Sequence, residues 1–195
     1  MLADKCAACL TCLRVCPFDI PVVTDIARIE SRLCQACGIC IAECPANAII
    51  ARGREPGELI DRTRAALARL PAGRPRVVAY LAGYHATGAD WRGEGEPVDG
   101  VAEIVLPSTA RLSAAELLHA FEAGADAVIV VCCPDGTERY PYTAERTRRR
   151  VDQARRMLVE AGLNGDALQL LAAADEPRSA LRTALAEAAA KADAT

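Results

Sequence analysis

From residue 76 onward, short apolar runs alternate with stretches of helical spacing. Arg76-Val-Val-Ala-Tyr-Leu-Ala82 is almost wholly apolar, which predicts a strand buried on both faces. Val101-Ala-Glu-Ile-Val-Leu106, Ala127-Val-Ile-Val-Val131 and Ala167-Leu-Gln-Leu-Leu171 predict three more. Ser113-Ala-Ala-Glu116 is a capping box opening a helix to Ala123, and Gly124 closes it. Thr143 to Ala161 reads as a long helix stopped by Gly162, and Asp175-Glu-Pro177 caps an Ala-rich last helix. Upstream, Leu59, Ile60, Thr63, Leu67 and Leu70 share one side of a helix that Pro71 ends.

Strand–helix alternation predicts an α/β domain: a parallel sheet with helices on both faces, flavodoxin-like in character. Residues 1–55 lack this alternation, and Arg52-Gly-Arg-Glu-Pro-Gly-Glu58 reads as a linker. The expected division is a small domain over 1–55, a linker and connecting helix over 56–71, and the α/β domain over 72–195. No G-x-G-x-x-G or P-loop is present, and Gly93-Glu-Gly95-Glu-Pro97 carries acids unsuited to phosphate.

Composition narrows the partners. Among 195 residues the net charge is −3 and aromatics are 4%, which argues against nucleic acid. No apolar run suits membrane insertion, and Met-Leu-Ala-Asp-Lys-Cys does not open like a signal peptide, so a cytoplasmic location is expected.

The 10 cysteines change the picture most. Eight form two runs: Cys6-x2-Cys9-x2-Cys12-x3-Cys16-Pro17 and Cys34-x2-Cys37-x2-Cys40-x3-Cys44-Pro45, repeated 28 positions apart. Zinc favours two C-x2-C pairs, so this is a poor zinc frame. Disulfides lack an export signal to support them. The run is that of [4Fe–4S] ligation, where the fourth Cys ligates the other cluster in two-cluster proteins. This assigns Cys6, Cys9, Cys12 and Cys44 to one cluster, and Cys34, Cys37, Cys40 and Cys16 to a second. Small neighbours (Ala7, Ala8, Ala36, Gly38) leave room for backbone N–H groups beside the sulfurs. Arg14 and Arg32 stand closest in sequence as candidate cations to raise cluster potentials, with solvated surface positions as the other reading.

Residues 1–55 resemble a bacterial-type two-[4Fe–4S] ferredoxin domain. The resemblance implies an α+β fold of two short helices and two small hairpins about a pseudo-twofold. Ala46-Asn-Ala-Ile-Ile-Ala51 is similar to its closing strand, and Pro21 predicts a less regular strand in the matching Phe18–Val23.

Residues 76–175 resemble the iron–sulfur delta subunit of methyl-viologen-reducing hydrogenase, a partner of heterodisulfide reductase. The phrases are Ala89-Asp90, Pro107-Ser-Thr-Ala-Arg111-Leu112, Ala120-Phe-Glu-Ala-Gly-Ala-Asp126, Cys133-Pro-Asp-Gly136 and Met157-Leu-Val-Glu-Ala-Gly162. That family binds a [2Fe–2S] centre through cysteines at the strand ends. Here Leu81, Tyr84, Ser108 and Glu138 stand where cysteines are expected, and only Cys133 matches. No [2Fe–2S] centre is expected. Cys132 and Cys133, adjacent on a strand, are expected to face opposite ways. His85 and His119 would complete a Rieske-like set only on paper, since His119 falls inside the capped helix.

The resemblances imply a non-catalytic electron-transfer subunit with two [4Fe–4S] clusters in a hetero-oligomeric complex. They imply as partner a heterodisulfide reductase A-like flavoprotein, another oxidoreductase subunit, or both. The complex would be heterodisulfide reductase-like, hydrogenase- or formate dehydrogenase-linked, or of benzoyl-CoA-reductase type. A redox-coupled ligand-binding module, sensing a flavin or nucleotide, is the alternative. Arg146, Arg148, Arg149, Arg150, Arg155 and Arg156 on the long helix read as a solvated face, or as a docking face for an acidic partner.

Overall fold

The computed structural model describes residues 1–51, 57–72, 74–83, 97–137, 139–173 and 177–193. The linker at 52–56 with the boundary beside it, Tyr84, His85, Ala89-Asp90, the loop 93–96, Glu138 and the Asp175-Glu176 cap lie outside these residues.

Residues 1–51 are built as a repeat. Helices α1 (Thr11–Val15) and α2 (Ile39–Glu43) each follow a cysteine loop and end at a Cys-Pro pair. The sequence period recurs in the backbone. Left-handed φ angles occur in matched pairs: 51° at Ala8 and 59° at Ala36, 65° at Leu10 and 81° at Gly38, 51° at Asp19 and 48° at Asn47. An L-residue avoids this region at a cost of about 1–2 kcal/mol. Paired occurrences therefore mark a loop shape that both copies must hold.

The repeat is less complete in its strands. β1 (Val22–Val23) pairs antiparallel with β2 (Ala27–Arg28). Pro21 precedes the pair, where its missing N–H costs no ladder bond. No strand forms over Ala46–Ala51. There the Leu2 N–H donates to the Ala48 carbonyl at 2.7 Å, and the 3-10 turn Ala3–Lys5 then leads the partner segment away. The half that carries the proline thus keeps the ladder, contrary to the sequence expectation.

Helix α3 (Glu58–Leu67) leads into a parallel sheet. Its strands are β3 (Val77–Ala82), β4 (Val101–Leu106), β5 (Ala127–Cys132) and β6 (Leu168–Ala172). Their spatial order is β4-β3-β5-β6, all parallel, which is the flavodoxin-like order. Helices α4 (Ala114–Glu122), α5 (Thr143–Glu160) and α6 (Pro177–Asp193) complete the described elements. The capping box is formed: Ser113 Oγ accepts from the Glu116 N–H, and Glu116 reaches back to the Ser113 N–H at 2.8 Å.

Both sheet faces are covered, unequally. α3, α4 and α5 bury Val78, Tyr80, Ile104, Leu106, Val128 and Val130 with their own Leu59, Leu67, Leu117, Val151 and Leu158. α6 alone among the described helices covers Val77, Ala79, Leu81, Ile129 and Val131, using Leu181. Arg178 Nε donates to Glu103 Oε2 at 2.8 Å, which ties α6 across to the edge strand β4. A polar pair is built into the larger core: the Tyr80 hydroxyl lies 2.9 Å from Thr63 Oγ1, which also donates to the Leu59 carbonyl.

Candidate metal centres

The two Cys-rich loops and the ends of both short helices enclose two cavities. One is lined by Cys6, Cys9, Cys12 and Cys44 with Met1, Ala8, Leu10 and Ile49. The other is lined by Cys16, Cys34, Cys37 and Cys40 with Phe18, Pro21 and Ile29. Each cavity therefore takes three thiols from one run and the fourth from the other. The crossing follows from the chain path. α1 begins beside Cys9 and Cys12 and delivers Cys16 at its far end, while α2 does the same for Cys40 and Cys44.

Backbone donors converge on the sulfurs. The Ala27 N–H donates to Cys6 Sγ at 3.4 Å, Ala36 N–H to Cys34 Sγ at 3.5 Å, and Ala48 N–H to Cys44 Sγ at 3.3 Å. Left-handed residues between helical ones turn successive N–H groups to one side, a concavity that suits an anionic group such as an iron–sulfur cluster.

The thiol protons respond to crowding. Burial, reinforced by the neighbouring Cys37, Cys34 and Cys16, pushes Cys40 up to about 12. Burial likewise raises Cys12 and Cys37. Exposed Cys9 shares a 3.4 Å hydrogen bond with the Thr11 hydroxyl, which holds it below the usual thiol value. Thiols raised by burial and mutual repulsion have no inducement to ionise except a cation among them, and a metal-bound thiol loses its proton. Among the described residues no three His, Cys, Asp or Glu side chains close on a point that would hold one metal ion. The thiols ring spaces instead. Four thiols per space, with N–H donors beside them, fit a [4Fe–4S] cluster.

The α/β domain is seated against the second loop. Cys37 and Ile39 pack with Ala110 and Tyr140, joined by Val15 and Phe18. Gly38 lies directly on Arg111, so that a Cβ there would overlap the Arg111 Cβ and stand 3.1 Å from its Cα. The seat is braced from behind by a chain of hydroxyls. Thr109 Oγ1 lies 3.0 Å from Thr147 Oγ1, which donates to the Thr143 carbonyl, and Thr143 Oγ1 donates to the Tyr140 carbonyl. The matching first loop has no such cover: Cys9 and Leu10 are exposed.

Sequence reasoning missed this seat. Its signal is the replacement of Leu10 and Thr11 of the first loop by Gly38 and Ile39 in the second. Arg14 and Arg32 are exposed, whereas Arg146 and Arg150 reach Glu43 of α2. The Arg-rich helix is thus neither wholly solvated nor reserved for another protein. Part of it meets an acid of its own chain, while Arg148 pairs with Asp135 and Arg149 with Glu145.

At the C-terminal ends of β3, β4 and β5 lies a third cavity, of about 240 Å³. Ala82, Ser108, Thr109, Cys132, Cys133 and Tyr140 are among its lining. Cys132 ends the strand and Cys133 follows it, and both residues are buried and line this cavity. Burial pushes Cys132 up to about 11. His119 is on α4, where it meets Glu122 and lines a different groove. Among the described residues, two adjacent thiols beside hydroxyls do not by themselves supply the four ligands of a [2Fe–2S] centre.

A duplicated cysteine module on a flavodoxin-like α/β domain defines an iron–sulfur electron-transfer protein. Residues 27–50 match the model of the 4Fe-4S binding domain, which covers the second run. Residues 84–193 match that of the methyl-viologen-reducing hydrogenase, delta subunit. This second match spans more than half of the chain, and the chain belongs to that family. No curated protein matches it. Membership makes the protein an iron–sulfur electron-transfer subunit of a hydrogenase- or reductase-type complex. No described helix is long and apolar enough to cross a membrane.

Proposed function

We propose that the chain relays single electrons through two [4Fe–4S] clusters, one held by Cys6, Cys9, Cys12 and Cys44, the other by Cys34, Cys37, Cys40 and Cys16. The observation that supports this most is the pair of four-thiol cavities whose loops repeat, φ angle by φ angle, at the sequence period. Each cluster, when bound, accepts and returns one electron. The chain's own residues hold the sulfurs, aim N–H donors at them and exclude water on the buried sides. The α/β domain serves as the mount. Its two remaining thiols do not make a third relay station, so electrons enter and leave through residues 1–55. We assign as its partner a heterodisulfide reductase A-like flavoprotein, a further oxidoreductase subunit, or both. The setting is cytoplasmic.

Anaerobic reconstitution with iron and sulfide tests the reading. It predicts about eight iron and eight sulfide per chain, with two interacting S = ½ signals on reduction. Stoichiometric zinc, or iron at half that level, would overturn it.

A further inference from the structure

Helix α2, like α1, contributes to both candidate centres. Cys40 lies within it and lines one cavity; Cys44 ends it and lines the other. Between them Glu43 points to α5. Arg146 Nη1 lies 3.4 Å from Glu43 Oε1, and Arg150 Nη2 contacts Oε2. Gln153 Oε1 holds Arg150 from its other side, accepting from Nη1 at 2.8 Å. The three charged side chains are partly buried, with only 22% of Glu43, 27% of Arg146 and 17% of Arg150 exposed, so solvent and salt screen them less than surface charges. At the opposite end of α2, Arg111 lies over Gly38 but meets Glu116 at 3.4 Å, so that pair adds no net charge.

One guanidinium would neutralise Glu43. The second leaves a surplus of one positive charge against a helix that contributes a ligand to each centre. Resting on the two-cluster reading above, we propose that Glu43, Arg146 and Arg150 are positioning residues that set the reduction potentials of both clusters through this surplus. Reduction adds one negative charge to a cluster, so a nearby positive charge favours the reduced form and raises its potential. The ion pairs also hold α2 on α5, but a purely mechanical role carries no sign, whereas the charge does.

The sign supplies the test. Glu43→Gln turns the surplus from one charge into two, Arg150→Gln reduces it to none, and the double variant restores one. The full chain and these three variants are reconstituted anaerobically, their iron and sulfide counted, and their potentials read by EPR-monitored potentiometry. E43Q should move the potentials up, R150Q should move them down, and the double variant should return close to wild type. Iron-replete variants whose potentials do not move, or whose single substitutions move them in the same direction, overturn the proposal alone. A wild-type chain that takes up no iron removes the two-cluster reading, and the proposal with it.

Discussion

Leu10 and Gly38 occupy one place in two copies of the same loop, at φ 65° and 81°. Leu10 holds the left-handed angle in the open, whereas Gly38 holds it beneath Arg111. Their substitutions should therefore diverge. Leu10→Gly relieves a left-handed L-residue and should stabilise by up to about 1 kcal/mol. Gly38→Ala adds both the strained φ and an overlap with the Arg111 Cβ, and should cost about 2–4 kcal/mol in chemical denaturation. Equal effects at the two positions would contradict the seat. The difference between the residues was plain in the sequence, but its cause was not, because Arg111 is distant along the chain and only the fold brings it there. The eight cysteines were legible for the opposite reason. Their spacing is local, and a loop of fixed shape is encoded within each run. Cys133 lies one residue past the end of its strand, where the alternation read from sequence no longer applies.

At the scale of elements, apolar runs and caps located the strands and helices well. β3 and β5 are buried on both faces and read as uninterrupted apolar runs, and the Ser113–Glu116 box marks the start of α4. Ser113→Ala should cost about 1 kcal/mol in thermal or denaturant unfolding. What periodicity could not show was which arginines of α5 turn inward. A helix crowded with cations has no apolar contrast on that side, and Arg146 and Arg150 are distinguished only by meeting Glu43. Within the core, Tyr80 carries a pH signature. Burial raises its hydroxyl to about 12, although its bond to Thr63 opposes the shift. A raised acid favours the folded state while protonated. Its contribution is therefore full below pH about 10 and is lost as pH rises toward about 12, a fall of roughly 2–3 kcal/mol. Tyr80→Phe should flatten that part of the alkaline unfolding curve, at a cost near neutrality of about 1 kcal/mol for the lost hydrogen bond.

For the whole molecule, the α/β domain makes two nearly equivalent halves unequal. It covers the second loop with Ala110, Arg111 and Tyr140 and leaves Cys9 and Leu10 of the first exposed. The flavodoxin-like order could be anticipated from strand–helix alternation, because successive βαβ units constrain their own topology. The docking of the two parts could not, since it depends on a few side chains from distant segments.

If the fourth cysteine of each run serves the other run's cluster, ligand variants will pair in EPR across the two runs. Cys44→Ser, Cys9→Ser and Cys37→Ser variants are reconstituted anaerobically, reduced, and compared by EPR. Cys44→Ser and Cys9→Ser should alter the same one of the two [4Fe–4S]+ signals and spare the signal that Cys37→Ser alters. A Cys44→Ser spectrum that instead loses what Cys37→Ser loses would contradict the crossed arrangement.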